Sequence, residues 1–462
     1  MRRKTSRQSP LKLISLNELL RPGASPDQSS SLPQRTAGRL ARRAEAWHLE
    51  NAALSLKLNF AYQRAGDAPI PGALVEVCGH LITSKDAPLK PHEFSVNSIE
   101  FLHRPQLAEP ALSARRASRL AEAVALRARS NRDIRAFFDA RDFLEVETPN
   151  WVEAAGTDVH LSPVSASFQD PHRSAKDAIH GQLHTSPEFS MKRLLAAGME
   201  RIWQMTKVWR NGEITPLHNP EFTLLEWYRA WEGLDAIIND VEHLSRVLLG
   251  NQARVGERAI SLEAPFLRMT MQQVIEEACG FDILEATEFD ALLAICTERK
   301  LLSENSLNRA RKLRRWDELF FELEIDYIDP FLGTKGAVFV CDWPTPLAVL
   351  ARTKPEDPRV AQRFELYIGG VELANGFQEL TDPAEQRRRF EADLTARKAA
   401  GLPLPPMPER FLEALQWGLP PSSGVALGVD RFLMLKSGAE HIREVAPFAM
   451  ARDPKTGKAS WS

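Results

Sequence analysis

The chain has 462 residues, 44% of them apolar, and a formal net charge of −2. That length supports more than one domain with full cores, and the near-neutral balance excludes a polycation, so any nucleic-acid contact must come from a local patch. Four widely spaced cysteines, Cys78, Cys279, Cys296 and Cys341, form no CxxC pair. This argues against structural zinc or a disulfide framework and suits a reducing cytoplasm. No apolar run reaches the roughly 18 residues of a membrane span.

In chain order, residues 1–43 carry ten Lys or Arg against only Glu18 and Asp27, around the polar stretch "GASPDQSSSLPQ". Composition predicts a disordered basic tail over 1–43, with an RNA-touching arm or an Arg- and Ser-rich transit peptide as the other readings. Alternation in "GALVEVCGHLI" (72–82) and "FSVNSIEFL" (94–102) predicts half-buried strands. They place a small β-rich domain at 44–108, ending in the prolines of "HRPQLAEPALS" and read either as an oligonucleotide-binding-like barrel or as a purely structural module. A larger domain over 109–462 follows. Its start, 114–140, has apolar residues at helical spacing and runs into "DFLEVETPNWVEAAGTDVHL". This predicts a long helix feeding a strand that ends at Pro149. Beyond it, strands and helices mix without a βα repeat, which predicts an α+β fold on an antiparallel sheet. Residues 282–318 read as a helical insertion.

Residues 204–229, "QMTKVWRNGEITPLHNPEFTLLEWYR", read as a long hairpin with Arg210, His218 and Asn219 in its loop. A second hairpin is predicted in "RFELYIGGVELANGFQEL" (363–380), where Gly369-Gly370 is a strong two-residue turn signal. With that turn, Tyr367 faces Glu372, and Glu365 lies on the same face about 7–8 Å away from Glu372. Two such carboxylates repel unless a cation lies between them, and magnesium is the natural one. Asn375-Gly376 can break the alternation and turn Glu379 toward the same space. In "SSGVALGVDRFLML" (422–435) a strand runs into a helix with Arg431 in its first turn. A cation there opposes the helix dipole and makes better sense beside an anion such as a phosphate.

These three regions, the helix and strand reaching Pro149, the hairpin around Arg210 and the strand and helix at 424–435, resemble the three signature motifs of class II aminoacyl-tRNA synthetases over roughly 115–450. Within that class the strings "TSPEFSMKRLL", "HNPEFTLLEWYR", "VELANGFQELTD" and "SGVALGVDRFLML" are most similar to the lysine group, and inside it to the ligases that attach (R)-β-lysine to a lysine of elongation factor P. The resemblance implies ATP and Mg2+, a lysine-type substrate activated as its adenylate, elongation factor P as acceptor, and a homodimer through the first motif. It implies that Arg210 contacts the α-phosphate and Arg431 the γ-phosphate, both as catalytic groups. His218 would reach the distal phosphates, Asn219 would contact ATP and Phe222 would stack on adenine, with Asn211, Gly212, Leu373 and Gly428 completing the ATP set. Glu365 and Glu372 would carry magnesium. Glu188 would hold the amino group near the substrate carboxylate, Glu379 and Tyr228 the distal ammonium, with Ser186, Pro187, Asn375 and Ala426 around them.

Two features depart from that pattern. The second motif usually reads Arg-x-Glu, but Arg210 is followed by Asn211 and Gly212, with Glu213 one place later as the candidate for the adenine contact. The ligases usually lack an anticodon-binding domain, and the N-terminal segment here keeps tRNA as a possible partner. Ala426 replaces a glycine of lysyl-tRNA synthetases, and one methyl discriminates by about 1–3 kcal/mol. The competing readings are a lysyl-tRNA synthetase that charges tRNA and a non-catalytic RNA-binding or regulatory paralogue.

Overall fold

The structure is a computed structural model that describes residues 34–43, 46–50, 55–60, 73–82, 93–103, 110–172, 174–452 and 456–461. The chain divides into two compact units at Ala128/Arg129, a boundary that falls inside the helix Pro110–Asp139 and not at 108/109. Every candidate site residue lies in the second unit.

The first unit is a closed barrel of strands β1 (Gln34–Arg43), β2 (Ala46–Glu50), β3 (Ser55–Phe60), β4 (Leu74–Ile82) and β5 (Glu93–His103) in the order β1-β2-β3-β5-β4. Closure comes from β1 pairing antiparallel with β4, Gln34 opposite Gly79 through Arg39 opposite Leu74. This corrects the tail expected over 1–43, because 34–43 is a barrel strand. Leu40 is sealed in the barrel core with Leu49, Leu56, Val75, Val77 and Phe94, and burying such side chains outweighs the polar composition around them. Residues 1–33 lie outside the described residues.

The second unit is built on an eight-stranded sheet of order β14-β15-β16-β17-β18-β11-β10-β6. Its strands are β6 (Leu144–Glu145), β10 (Arg201–Trp209), β11 (Glu221–Ala230), β14 (Leu267–Thr270), β15 (Ala337–Pro344), β16 (Val360–Ile368), β17 (Val371–Gln378) and β18 (Ser422–Gly428). Only the two edge pairs, β14–β15 and β6–β10, are parallel. A three-stranded sheet, β7 (Trp151–Val152), β8 (Val164–Phe168) and β9 (Ile179–Leu183), and the hairpin β12 (Gln252–Val255) and β13 (Arg258–Ser261) lie outside it. The expected strand toward Pro149 is regular only over Leu144–Glu145. One face of the sheet is apolar: Trp203 and Trp227 face each other across β10–β11, and Phe138 of the long helix stacks on Trp203 at 4.7 Å and meets Trp227 edge-on at 5.4 Å. The insertion forms helices Phe289–Glu298, Glu304–Leu313 and Trp316–Leu323, continued by 324–334. Their apolar faces, including Leu319, Phe320 and Leu323, pack with Val338 and Val340 of β15.

The Gly369-Gly370 turn forms as predicted, with φ of +61° and +86°, a region that only glycine adopts without strain. Ile368 faces Val371 and Tyr367 faces Glu372, but the register then shifts so that Leu366 faces Ala374. Leu373 is therefore the extra residue of a β-bulge. The alternation breaks here and not at Asn375-Gly376. The bulge turns Glu372, Asn375, Phe377 and Glu379 toward one face, which an unbroken strand would split between two.

Candidate active site

The polar face of the sheet carries the site. Across it runs one row of paired positions, Glu365, Asn375, Ala426, Glu226 and Gln204, and beside it a second, Arg363, Phe377, Gly424, Tyr228 and Ile202. The residues of these rows on β11, β16, β17 and β18 floor a cavity of about 1160 Å³, walled by the loop 155–161, the start of helix Glu188–Ala196 and the hairpin loop after β10. Its two ends have opposite chemistry.

The basic end holds Arg210 and Arg431. The Arg210 guanidinium lies 5.1 Å from the Phe222 ring centroid, and its Nε is buried with no hydrogen-bond partner. Arg431 stands in the first turn of helix Val429–Ser437. It donates to the Glu372 backbone oxygen at 2.8 Å, to Glu372 Oε2 at 3.1 Å and to His218 Nε2 at 2.6 Å. Because a guanidinium only donates, His218 accepts at Nε2 and keeps its proton on Nδ1, 2.7 Å from Thr215 Oγ1. Burial and the Arg431 charge both lower the His218 pKa, so the imidazole is neutral near pH 7. Its place in the cavity would raise Glu372, but Arg431 and Arg210 outweigh that and hold the carboxylate below its usual range.

The acidic end holds Glu188, Glu226, Glu379 and Tyr228. Tyr228 donates to Glu226 Oε1 at 2.7 Å, while Glu226 Oε2 is buried without a partner. Burial and the neighbouring Glu188 push the Glu226 carboxyl well up. Burial also raises Glu379 to about 7, against the pull of Lys192. Gly424 is required here by space alone: a Cβ would come within 2.2 Å of the Tyr228 ring and 2.7 Å of Glu379 Oε1. A basic pocket joined to an acidic one can hold a polyanion and a cationic amine side by side.

The class II tRNA synthetase family (D, K and N) matches residues 104–452. The chain is 42% identical over 320 residues to the elongation factor P–(R)-β-lysine ligase of Erwinia tasmaniensis, covering 69% of this chain and 92% of that one. The ligases of the same name from Haemophilus influenzae (41% over 324 residues; 70% and 94%) and Proteus mirabilis (42% over 322 residues; 69% and 92%) are similarly close. The chain belongs to this family of class II ligases. The family match begins at 104, after the barrel strands, so the barrel lies ahead of the matched region.

Most of the residues that the ligase resemblance pointed to converge. Arg210, His218, Asn219, Phe222, Glu372, Leu373, Gly428 and Arg431 line the cavity, as do Ser186, Glu188, Tyr228, Asn375, Glu379, Ala426 and Glu365. Three do not. Pro187 fills the position before helix Glu188–Ala196, and Asn211 and Gly212 stand exposed in the hairpin loop. Gly212 has φ +88°, which explains a glycine where the motif usually has Glu. Glu213, one place on, lies close enough to His218 for its charge to oppose the lowering of that pKa. Asn219 is tied to the backbone on both sides, donating to the Glu221 oxygen at 2.5 Å and accepting from the Met450 N–H at 2.8 Å.

For a metal, the two carboxylates are unequal. Both Glu365 oxygens are already engaged, one by Arg363 and the other by the Tyr367 hydroxyl, and burial raises Glu365 to about 7. Glu372 stays ionised, with a side chain about two-fifths exposed to the cavity and only Oε2 on Arg431. Among the described residues no group of three or more His, Cys, Asp or Glu is arranged to hold a metal ion. The donor set fits a magnesium that also takes phosphate oxygens, with Glu372 as its leading protein ligand.

Sequence reasoning missed Lys192, Arg363 and the role of Glu226. Arg363 bonds Asn375 Oδ1 at 3.2 Å and the Leu347 oxygen at 2.7 Å while holding Glu365, so it fixes two cavity residues from the sheet itself. Glu226 carried a signal, a carboxylate inside the apolar run "TLLEWY". Lys192 carried none, since a Glu and a Lys four residues apart on a helix usually form a solvent-exposed pair.

Proposed function

We propose that this enzyme activates a lysine-type amino acid, (R)-β-lysine foremost, as its adenylate and transfers it to a lysine side chain of elongation factor P. The observation that carries this reading is the pairing of two arginines, Arg210 and Arg431, at one end of a single cavity with three carboxyl groups at the other. ATP enters with adenine on Phe222 and its phosphates between Arg210 and Arg431, and neutral His218 donates from or accepts at the same end as the nucleotide settles. The substrate carboxylate oxygen attacks the α-phosphorus in line, the bond to the β-phosphate breaks, and pyrophosphate leaves. Arg210 supplies fixed charge where the new negative charge develops. A bound magnesium would supply Lewis-acid neutralisation of the phosphates, with Glu372 as its leading protein ligand and Glu365 behind it, held by Arg363 and Tyr367.

At the other end Glu188 takes the amino group near the carboxylate, and Glu379, Glu226 and Tyr228 take the distal ammonium, with Ser186, Asn375 and Ala426 shaping the floor. In the second half-reaction the acceptor lysine amine attacks the activated carbonyl carbon, AMP leaves, and the amine releases its proton. We place this chemistry in the cytoplasm, in a homodimer formed through the segment from the long helix to Pro149. No helix among the described residues is long and apolar enough to cross a membrane. The test is transfer: the full chain, ATP, magnesium and (R)-β-lysine are incubated with elongation factor P or with tRNA. A mass gain of one β-lysyl group on elongation factor P, absent without ATP, is expected. Charging of tRNA with no mass gain on the protein would contradict the proposal.

A further inference from the structure

Behind the acidic end of the cavity sits a cation that does not line it. Lys192, 1% exposed, extends from helix Glu188–Ala196 to place Nζ 2.5 Å from Glu188 Oε1 and 2.5 Å from Glu379 Oε2. These are the two carboxylates that face the substrate end of the cavity from different elements, one at a helix start and one just past β17. A single buried ammonium therefore joins them from the rear. Glu379 Oε1 and the neighbouring Glu226 Oε2 are buried without a hydrogen-bond partner, and both residues line the cavity with Glu188. Lys192 Nζ lies 5.9 Å from the Phe411 ring centroid, and at 1% exposure the side chain has no path to solvent.

We propose that Lys192 is a resident counter-ion of the amino-acid pocket, a positioning residue that ties Glu188 and Glu379 together from behind and offsets their charge, and thereby sets the pocket to accept a substrate with two ammonium groups. The inference rests on the substrate reading above. The arrangement supports it: one cation, Lys192, offsets the Glu188–Glu379 pair from behind, and the Glu226 carboxyl, pushed well up by burial, completes an acidic lining that substrate ammonium groups can match. Three carboxylates without Lys192 would face one another in a nearly sealed space, and such a cluster takes up a proton instead of holding three charges. The groups facing this cluster are Glu188 and Lys192 from the helix, Glu226 and Tyr228 from β11, and Glu379 after β17; with the cation present, Glu379 already titrates near 7. Lys192 itself is held above its ordinary pKa, burial being outweighed by Glu188 and Glu379, so it stays charged throughout the working pH range.

The test compares the full-length wild-type chain with Lys192→Met, which keeps the stem and removes the charge, and Lys192→Arg. In amino-acid-dependent exchange of labelled pyrophosphate into ATP, Lys192→Met is expected to raise the KM for (R)-β-lysine on the order of tenfold to a hundredfold. The KM for ATP should stay within about twofold, and Lys192→Arg should recover part of the loss. A KM for β-lysine that stays unchanged, or an equal rise in both KM values, overturns the proposal while leaving the function reading intact. The second arm needs no substrate. In the variant the uncompensated carboxylates bind protons more tightly in the folded than in the unfolded chain, so stability falls as pH rises above the ordinary carboxylate range. The Tm gap between wild type and Lys192→Met should therefore widen by about 2–4 °C between pH 6 and pH 8.5. A gap that is the same at both pH values overturns the counter-ion role, even if wild type shows no exchange and the function reading itself has failed.

Discussion

At the basic end of the cavity two arginines stand apart from one another: Arg210 has a buried, unpartnered Nε, and Arg431 shares its donors between Glu372 and a neutral His218. At the acidic end, Glu226, Tyr228, Glu379 and Lys192 are all no more than 3% exposed and lean on one another. The first arrangement suits a large, hydrated polyanion that brings its own charge and metal. The second suits a compact diamine, because only a desolvated site makes one ammonium–carboxylate contact worth several-fold in affinity. The same sheet face carries both, and the difference lies in what packs behind it.

The largest effect that separates the two ends is expected from Arg210→Ala. It should lower kcat for pyrophosphate exchange by about 10²–10³-fold and leave the KM for the amino acid nearly unchanged. Glu379→Gln should do the reverse, raising the amino-acid KM on the order of a hundredfold with little change in the KM for ATP. If either variant moved both constants together, the ends would not be independent.

Gly424→Ala comes next. Its Cβ would strike the Tyr228 ring, so it should cost about 1–3 kcal/mol in thermal stability and raise the amino-acid KM by about tenfold. A wild-type-like KM would mean that Tyr228 is not part of the amine site.

The two ends should also differ in their response to pH. Glu379 titrates near 7, and only its ionised form holds an ammonium. Amino-acid kcat/KM should therefore rise as pH climbs through about 7 and level above it, approaching tenfold per unit below that value. His218 has its pKa lowered and is already neutral there, so it should add no pH dependence to the KM for ATP. The smallest effect is expected from Asn211→Ala, which lies outside the cavity and should change either KM by about twofold or less.

What could be read from the sequence follows the strength of the local signal. Gly369-Gly370 specified its turn and the facing of Tyr367 and Glu372 because two adjacent glycines tolerate the left-handed turn. Glu379 was anticipated on the right face for the wrong reason, since no residue pattern marks Leu373 as the bulge. Strand β1 was hidden because "QRTAGRLARR" is arginine-rich, and only its pairing with β4 closes the barrel around Leu40. Lys192 was hidden because its two partners are four and 187 residues away, and the second is brought to it only by the tertiary fold.

The most direct measurement of the central claim is amino-acid-dependent pyrophosphate–ATP exchange by the full chain, with (R)-β-lysine and α-lysine compared at saturating ATP and magnesium. Exchange that clearly favours (R)-β-lysine is the predicted result, and it would tie the two ends of the cavity to one adenylation reaction. A preference for α-lysine would contradict the substrate assignment, and no exchange with either would contradict amino-acid activation altogether.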